Sequence, residues 1–300
     1  MNRTVLALAL ALATVLAGCL GPRIGAGRVD DLAPAEGVGN FTLVPDRYAV
    51  SGCDEIAGVF PVPADFADNI PKGFKVESLD PADATATLIV IGWKCKSSDV
   101  PGQNESEGDV GILGGVLVTP TAEYKSANAT MHFVLVGYST ANPAIAALLK
   151  EWNVSALEPA KRTVTDFLTG APVRSGLITL DDVTLTTQAT GREAVDDGGL
   201  FRFFRADQGE VVAAFDLSWN TARALVVGRG HIEFANGLIG NVPLFFEGLG
   251  LHIWGQTYTY NITRVDFADA TNAPASNATA TPIAGPLARL VAEGPLVRTG

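Results

Sequence analysis

The sequence predicts an α+β fold that is mostly β: a barrel or a coiled two-sheet sandwich with one firm helix and short peripheral helices. Three observations predict it. About ten segments show the period-2 alternation or the β-branched enrichment of strands. A single segment, starting after Asn142, carries a helical apolar stripe behind a capping residue. Hydrophobic residues make up 47% of the 300 positions and charged residues 18%, enough apolar material for one large core. The chain is read as a signal segment (1–18), a flexible tether (19–40) and one β-rich domain (41–300).

The N-terminus supplies an address. Arg3 gives a positive start, and residues 5–17 form an apolar run broken only by Thr14, too short to cross a bilayer as a helix. The run ends in Leu16-Ala17-Gly18-Cys19, which resembles a prokaryotic lipobox: small residues fit the peptidase cleft, and the Cys19 thiol is the lipid attachment point. The alternative is an ordinary signal that happens to contain a Cys. Residues 20–40 are rich in Gly and Pro, with no helical or strand period, and read as a tether.

Along the body, residues 55–62 alternate as a strand closed by Pro61 and Pro63, and 64–70 read as one or two helical turns. Residues 84–95 are the best strand, with Thr85, Thr87, Ile89, Ile91, Trp93 and Cys95 on one face and Lys94 and Lys96 solvated on the other. Residues 110–119 read as a strand weakened by Gly111, Gly114 and Gly115, and 131–138 as another. Asn142 then caps the firm helix, with Pro143 at its first position and Ile145, Leu148, Leu149 and Trp152 on one stripe. The second half is nearly all β: 177–190, then a hairpin of 200–205 and 210–219 about Asp207-Gln208-Gly209, then 226–234, 244–246 and 255–267. In the last of these, Thr257, Thr259, Asn261 and Thr263 alternate with Tyr258, Tyr260, Ile262 and Val265. Residues 269–282 read as a loop and 286–293 as a closing helix.

Charge and cysteine use narrow the function. The balance of 21 Lys+Arg against 32 Asp+Glu, a net charge of -11, argues against a nucleic-acid partner, which needs clustered cations. With Cys19 lipidated, Cys53 and Cys95 remain in an oxidising compartment, and a disulfide is their simplest state; two buried thiols are the alternative. Asn-X-Ser/Thr sequons stand at Asn40, Asn104, Asn128, Asn153, Asn261 and Asn277, where chance would give about one or two. Asn104, Asn128, Asn153 and Asn277 fall in loops or just past the helix, where a glycan is sterically cheap. Lipobox and sequons together suit an extracytoplasmic, membrane-anchored protein of an archaeal or bacterial surface.

No catalytic motif appears: no Gly-X-Ser-X-Gly elbow, no His-Glu-X-X-His, no phosphate loop and no Cys-X-X-Cys. His132, His231 and His252 are far apart in sequence, with no carboxylate at ligand spacing, so no metal and no cofactor is expected. Asp181-Asp182 and Asp196-Asp197 are paired carboxylates beside turn signals, and loop solvation or a weak cation site explains them as well as catalysis does.

One stretch resembles a known family. Cys53, then Val59-Phe60-Pro61-Val62-Pro63, then Ile70-Pro71-Lys72-Gly73-Phe74, a strong strand ending near Cys95, two more strands and the helix from Asn142-Pro143 to Trp152 are laid out like the acetoacetate decarboxylase-like superfamily. The resemblance implies that fold. It also implies a Schiff-base Lys a few residues after an Arg-Glu pair at the helix end, acting on a β-keto acid. Here Lys150-Glu151 stands for the Arg-Glu pair, residues 153–160 contain no Lys, and the nearest is Lys161 beside Arg162. The expectation is therefore a non-catalytic, lipid-anchored binding domain for a small apolar or carboxylate ligand. The rivals are an enzyme using Lys150, Glu151 or Lys161 on a small carbonyl or carboxylate compound, and a structural or interaction module whose interior is filled by its own side chains.

Overall fold

Strand alternation and the capped helix are both realised in the computed structural model of the chain. The structure describes residues 41–63, 70–78, 85–101, 107–122, 124–126, 128–154, 158–168, 173–190, 193–196, 198–220, 222–235, 244–255 and 258–267, all within the unit Glu36–Gly300. At 41–46, 193–194, 196 and 222–227 only the backbone is described. The signal and tether with Cys19 and Asn40, the sequons at Asn104 and Asn277, Asp197, the helical turns expected over 64–70 except Ile70, and the loop and helix expected after 268 lie outside the described residues.

The described chain forms sixteen strands and one helix. In order they are β1 Phe41–Ser51, β2 Asp54–Pro63, β3 Phe74–Val76, β4 Thr85–Cys95, β5 Ser97–Asp99, β6 Asp109–Pro120, β7 Met131–Thr140 and α1 Pro143–Glu151. There follow β8 Thr163–Leu168, β9 Val173–Leu180, β10 Val183–Thr190, β11 Glu193–Asp196, β12 Gly199–Asp207, β13 Glu210–Trp219, β14 Ala222–Phe234, β15 Leu244–Trp254 and β16 Thr259–Phe267. All sixteen belong to one sheet with the path β5-β1-β16-β13-β12-β7-β6-β4-β2-β15-β14-β10-β9-β8, β11 lying beside β14 and β3 beside β6. The pairing of β7 with β12 is parallel. The path has two ends, so the expected barrel is not closed.

The central strands explain the shape. Along β4, Ile89, Ile91, Trp93 and Cys95 enter one apolar core, and Ala86, Leu88 and Val90 enter another. β2 divides the same way, with Ala57 and Val59 on the first side and Ile56, Phe60 and Val62 on the second. A strand apolar on both faces must be covered on both, so the two wings of the sheet curl over opposite faces of β2, β4 and β6. Ile178 of β9 and Leu185 of β10 reach Gly92 on one face, while Phe201, Phe203, Phe215 and Tyr260 fill the core on the other. The sequence reading placed Thr85, Thr87 and Cys95 on one face correctly in phase; the opposite face is buried as well, and only its end residue Lys94 is exposed.

Glycines that look like defects in β6 seat large rings. A Cβ at Gly111 would lie 2.5 Å from the Trp93 indole, and one at Gly115 would lie 3.0 Å from the Phe203 ring and 2.8 Å from Phe133 Cβ. The run 177–190 is a hairpin, with Asp181-Asp182 as its turn between β9 and β10. The Asp207-Gln208-Gly209 hairpin forms as expected, with Gln208 (φ 49°) and Gly209 (φ 81°) in the left-handed region that such a turn requires. Val265, grouped in the sequence reading with Tyr258, Tyr260 and Ile262, points instead into a small outer cluster with Phe204 and Ala214, as its odd position demands.

Candidate functional site

The inward face of β2 carries Ala57, Val59 and, two residues before them, Glu55, so the register that builds the core also drives a carboxyl into it. Glu55 is only 2% exposed. On the start of β16 and the residue before it, the same period-2 logic turns Tyr258 and Tyr260 inward, each 1% exposed. Tyr258 Oη donates to Glu55 Oε2 at 2.5 Å, Tyr260 Oη bonds the same oxygen, and the two hydroxyls are 3.0 Å apart. These groups line a recess together with Phe201, Trp219, Ile91 and Ile253. It measures about 220 Å³ with its mouth, but the part open to a small molecule holds on the order of one water. Within this lining Phe201 and Trp219 meet edge to face at 4.6 Å, and the Tyr258 and Tyr260 ring centres are 5.1 Å apart.

Behind this recess a second polar group is buried. Trp93 packs on Tyr260 (5.3 Å) and on Tyr138 (5.6 Å), and its Nε1 donates to Asp109 Oδ2 at 2.8 Å. Thr140 Oγ1 donates to Asp109 Oδ1 at 2.6 Å, and Tyr48 and Tyr138 share a short hydroxyl hydrogen bond. Burial pushes the Asp109 carboxyl above the usual carboxylate range, against the opposing pull of its hydrogen bonds from Thr140, Trp93 and two backbone amides. Burial likewise raises both phenols well above 10. These groups are closed inside the packing and lock the core; they are not offered to solvent.

The residues singled out in the sequence sit elsewhere. Lys150 is 60% exposed and pairs with Glu158 at 3.1 Å, and Glu151 is exposed at the end of α1; neither lines the recess. Lys161 and Arg162 are exposed, and their backbone N–H groups donate to Asp181 Oδ1, which makes Asp181 the tie between β8 and the β9–β10 turn. Cys53 and Cys95 are bonded as a disulfide. Asn128 and Asn153 are exposed.

The three histidines do not meet, and among the described residues no group of His, Cys, Asp and Glu could hold a metal. His132 accepts from Ser126 N and stacks on Phe204; it stands beside Arg202, whose guanidinium makes a buried two-toothed bond with Asp216 (2.8 and 2.9 Å). His231 contacts Glu247 at the surface. His252 is fully buried between Phe167 and Trp254, and among the described residues neither ring nitrogen has a hydrogen-bond partner. Burial, then the charge of nearby Arg174, lowers its pKa to about 4. Arg174 itself lies 3.4 Å over the Trp254 ring.

Sequence reasoning missed Glu55, Tyr258 and Tyr260 as a group. A signal was present: an acidic residue in phase with the apolar face of a strand, and two tyrosines two apart on another. What sequence alone lacks is that β2 and β16, more than 200 residues apart, face each other across one core.

No described protein family and no curated protein matches the chain. Solved structures similar in chain path are acetoacetate decarboxylases and enzymes like them. An acetoacetate decarboxylase from Legionella pneumophila shares 12% identity over 84% of this chain and 100% of its own, with a TM-score of 0.46. The enduracididine biosynthesis enzyme MppR, complexed with pyruvate, shares 13% over 74% and 89%, TM-score 0.42. An acetoacetate decarboxylase-like enzyme from Sphingomonas wittichii shares 13% over 75% and 94%, TM-score 0.41.

Proposed function

We propose that the chain is a lipid-anchored protein held outside the cytoplasm, that it carries a non-catalytic binding domain, and that the Glu55–Tyr258–Tyr260 recess is its ligand site. One observation carries the reading: the recess presents a carboxyl and two phenols, and none of its described lining residues is an amine. A Schiff-base enzyme needs a neutral Lys facing its substrate, whereas the nearest candidates, Lys150 and Lys161, are exposed to water. The Cys53–Cys95 bond and the exposure of Asn128 and Asn153 support a compartment where disulfides persist and glycans can be attached.

Borohydride trapping with a panel of β-keto acids tests the chemistry. No reduced adduct is expected, and a stoichiometric adduct on Lys150, Lys161 or any other Lys would return the chain to the enzymes. The anchor is tested by Cys19→Ser, expected to move the protein out of the membrane fraction; retention there would remove the lipobox reading. A second reading, an interaction module acting through its surface, is favoured by how little of the interior is open.

A further inference from the structure

We infer that β8 is a docking strand for a second copy of this chain: it pairs antiparallel with the same strand of that copy, with Val164 on the twofold axis. The inference stands apart from the recess. β8 ends the sheet path, bonded to β9 on one side and, among the described residues, to no strand on the other. The direction of its backbone groups follows from the register. Asp181 N donates to Arg162 O at 2.9 Å and Arg162 N donates to Asp181 Oδ1, so the groups of residue 162 point toward the β9 side. Alternation turns those of Val164, Asp166 and Leu168 the same way, and those of Thr163, Thr165 and Phe167 to the open edge. Side chains alternate as well. Phe167 faces inward on His252 (5.6 Å), and Val164, Asp166 and Leu168 share the outer face, with Val164 41% and Leu168 62% exposed. Proteins blunt such an edge with Lys, Pro, a bulge or a very short strand. β5, at the other end of the path, is three residues long. β8 has six residues with no Lys, no Pro and no shift of register, and its one charge is Asp166.

Charge complementarity selects the occupant and the register. In an antiparallel pair, facing residues lie on one face of the sheet, so a twofold axis between two copies of β8 must pass through a residue position. With Asp166 on the axis, two carboxylates face each other. With Thr165 there, Asp166 faces Val164 and Arg162 faces Leu168, so both charges meet apolar groups. With Val164 on the axis, Arg162 of each copy faces the partner's Asp166 and the two Val164 side chains meet. Thr163 then faces the partner's Thr165, and their outward N–H and C=O groups bond in both directions. Arg162 and Asp166 are both exposed, and among the described residues neither side chain is in an ion pair within the chain. An unrelated peptide gains the backbone bonds without these ion pairs, and β5 of a second copy is too short to cover β8. A contact resting on one six-residue strand is small beside the roughly 800 Å² per partner of a standard interface, so the dimer is expected to dissociate on dilution.

Sedimentation of the full chain in density-matched detergent across a dilution series, together with disulfide trapping, tests this. A monomer–dimer equilibrium is expected, and a chain monomeric at every concentration overturns the inference. Val164→Cys is expected to form an interchain disulfide beyond any seen in the parent, because a facing pair without backbone bonds holds its Cβ atoms close enough for one. Asp166→Cys is expected to form none, since the register sets the two copies of that residue about 13 Å apart. No trapping at position 164, or equal trapping at both positions, overturns the inference. Arg162→Asp and Asp166→Arg each turn the attractive pairs into repulsive ones and are expected to weaken the dimer roughly tenfold. The double variant Arg162→Asp/Asp166→Arg restores the pairs and is expected to restore the dimer, which damage to the fold by the single substitutions would not allow. A dimer indifferent to the single reversals, or a double variant as weak as either of them, overturns the inference.

Discussion

At the scale of single residues, the chain holds charged groups where apolar ones would pack, and each is answered by named donors. Asp109 is the clearest case. Replacing it with Ala leaves the Trp93 N–H and the Thr140 hydroxyl without their acceptor in the core. The expected loss is about 2–4 kcal/mol, read as a fall in the urea midpoint, with Asp109→Asn losing less because it keeps an acceptor. Equal losses for the two variants would mean that volume, and not the hydrogen bonds, is what the site requires. The buried histidines make the second prediction. Burial, aided by Arg202 and Lys125, lowers His132 to about 3; burial, aided by Arg174, lowers His252 to about 4. Between those values and 6.5 the unfolded chain binds protons that the folded chain refuses. Stability is therefore full above about pH 6.5 and falls on acidification, by at most ~1.4 kcal/mol per pH unit per histidine. Asp54 and Asp109, both raised chiefly by burial, act in the opposite sense between 3.8 and their folded values, where the folded chain holds the extra proton. Urea midpoints at pH 7 and pH 5 should differ in the parent and converge in a His132→Gln/His252→Gln variant; an undiminished difference would place the acid sensitivity elsewhere.

At the scale of elements, caps and turns decide where the chain changes direction. Asn142 Oδ1 accepts from Ala144 N and Ile145 N, and its amide nitrogen donates to Ser98 Oγ, so one side chain starts α1 and fastens it to β5. Asn142→Ala is expected to cost about 1–2 kcal/mol, and Asn142→Asp to recover part of it by restoring the cap acceptor alone. Chemical denaturation of the two variants measures this, and equal stability of Ala and the parent would refute it. The Asp181 turn is of the same kind: the pair of carboxylates that drew attention in the sequence is a hairpin turn whose first member has φ 47° and receives two backbone N–H groups. The signal was turn chemistry, the loop alternative among the three readings that the sequence left open.

At the scale of the whole molecule, the sheet brings distant segments together, and the disulfide shortens the route for one of them. Cys53 and Cys95 enclose 42 residues of separation, spanning β2, β3 and β4. Replacing both with Ala is expected to destabilise by about 3–4 kcal/mol through the freed unfolded chain. A thermal melt of that variant in oxidising buffer checks it, and the loss should vanish when both proteins are compared under reduction. An undiminished gap under reduction would trace the effect to side-chain packing and not to the bond.

The sequence by itself determined the mostly β class, the phase of β4 that turns Cys95 inward, the cap and stripe of α1 and the hairpin at Gln208-Gly209. These are local signals, written within a few residues by period, cap or turn. It did not separate β9 from β10 or identify β1 and β8 as strands: β8 is a Thr-containing strand at one end of the sheet path, and β1 carries Pro45 at the shift in its register with β16, so neither shows a clean strand pattern until its partner is known. Only the tertiary structure decided that the sheet stays open and curls both ways, since both faces of β4 are apolar and the sequence does not say which distant strand covers each. It also decided that Glu55 of β2 meets Tyr258 and Tyr260 across the core. That meeting depends on the order of strands in the sheet, a property of long-range pairing that no local pattern encodes.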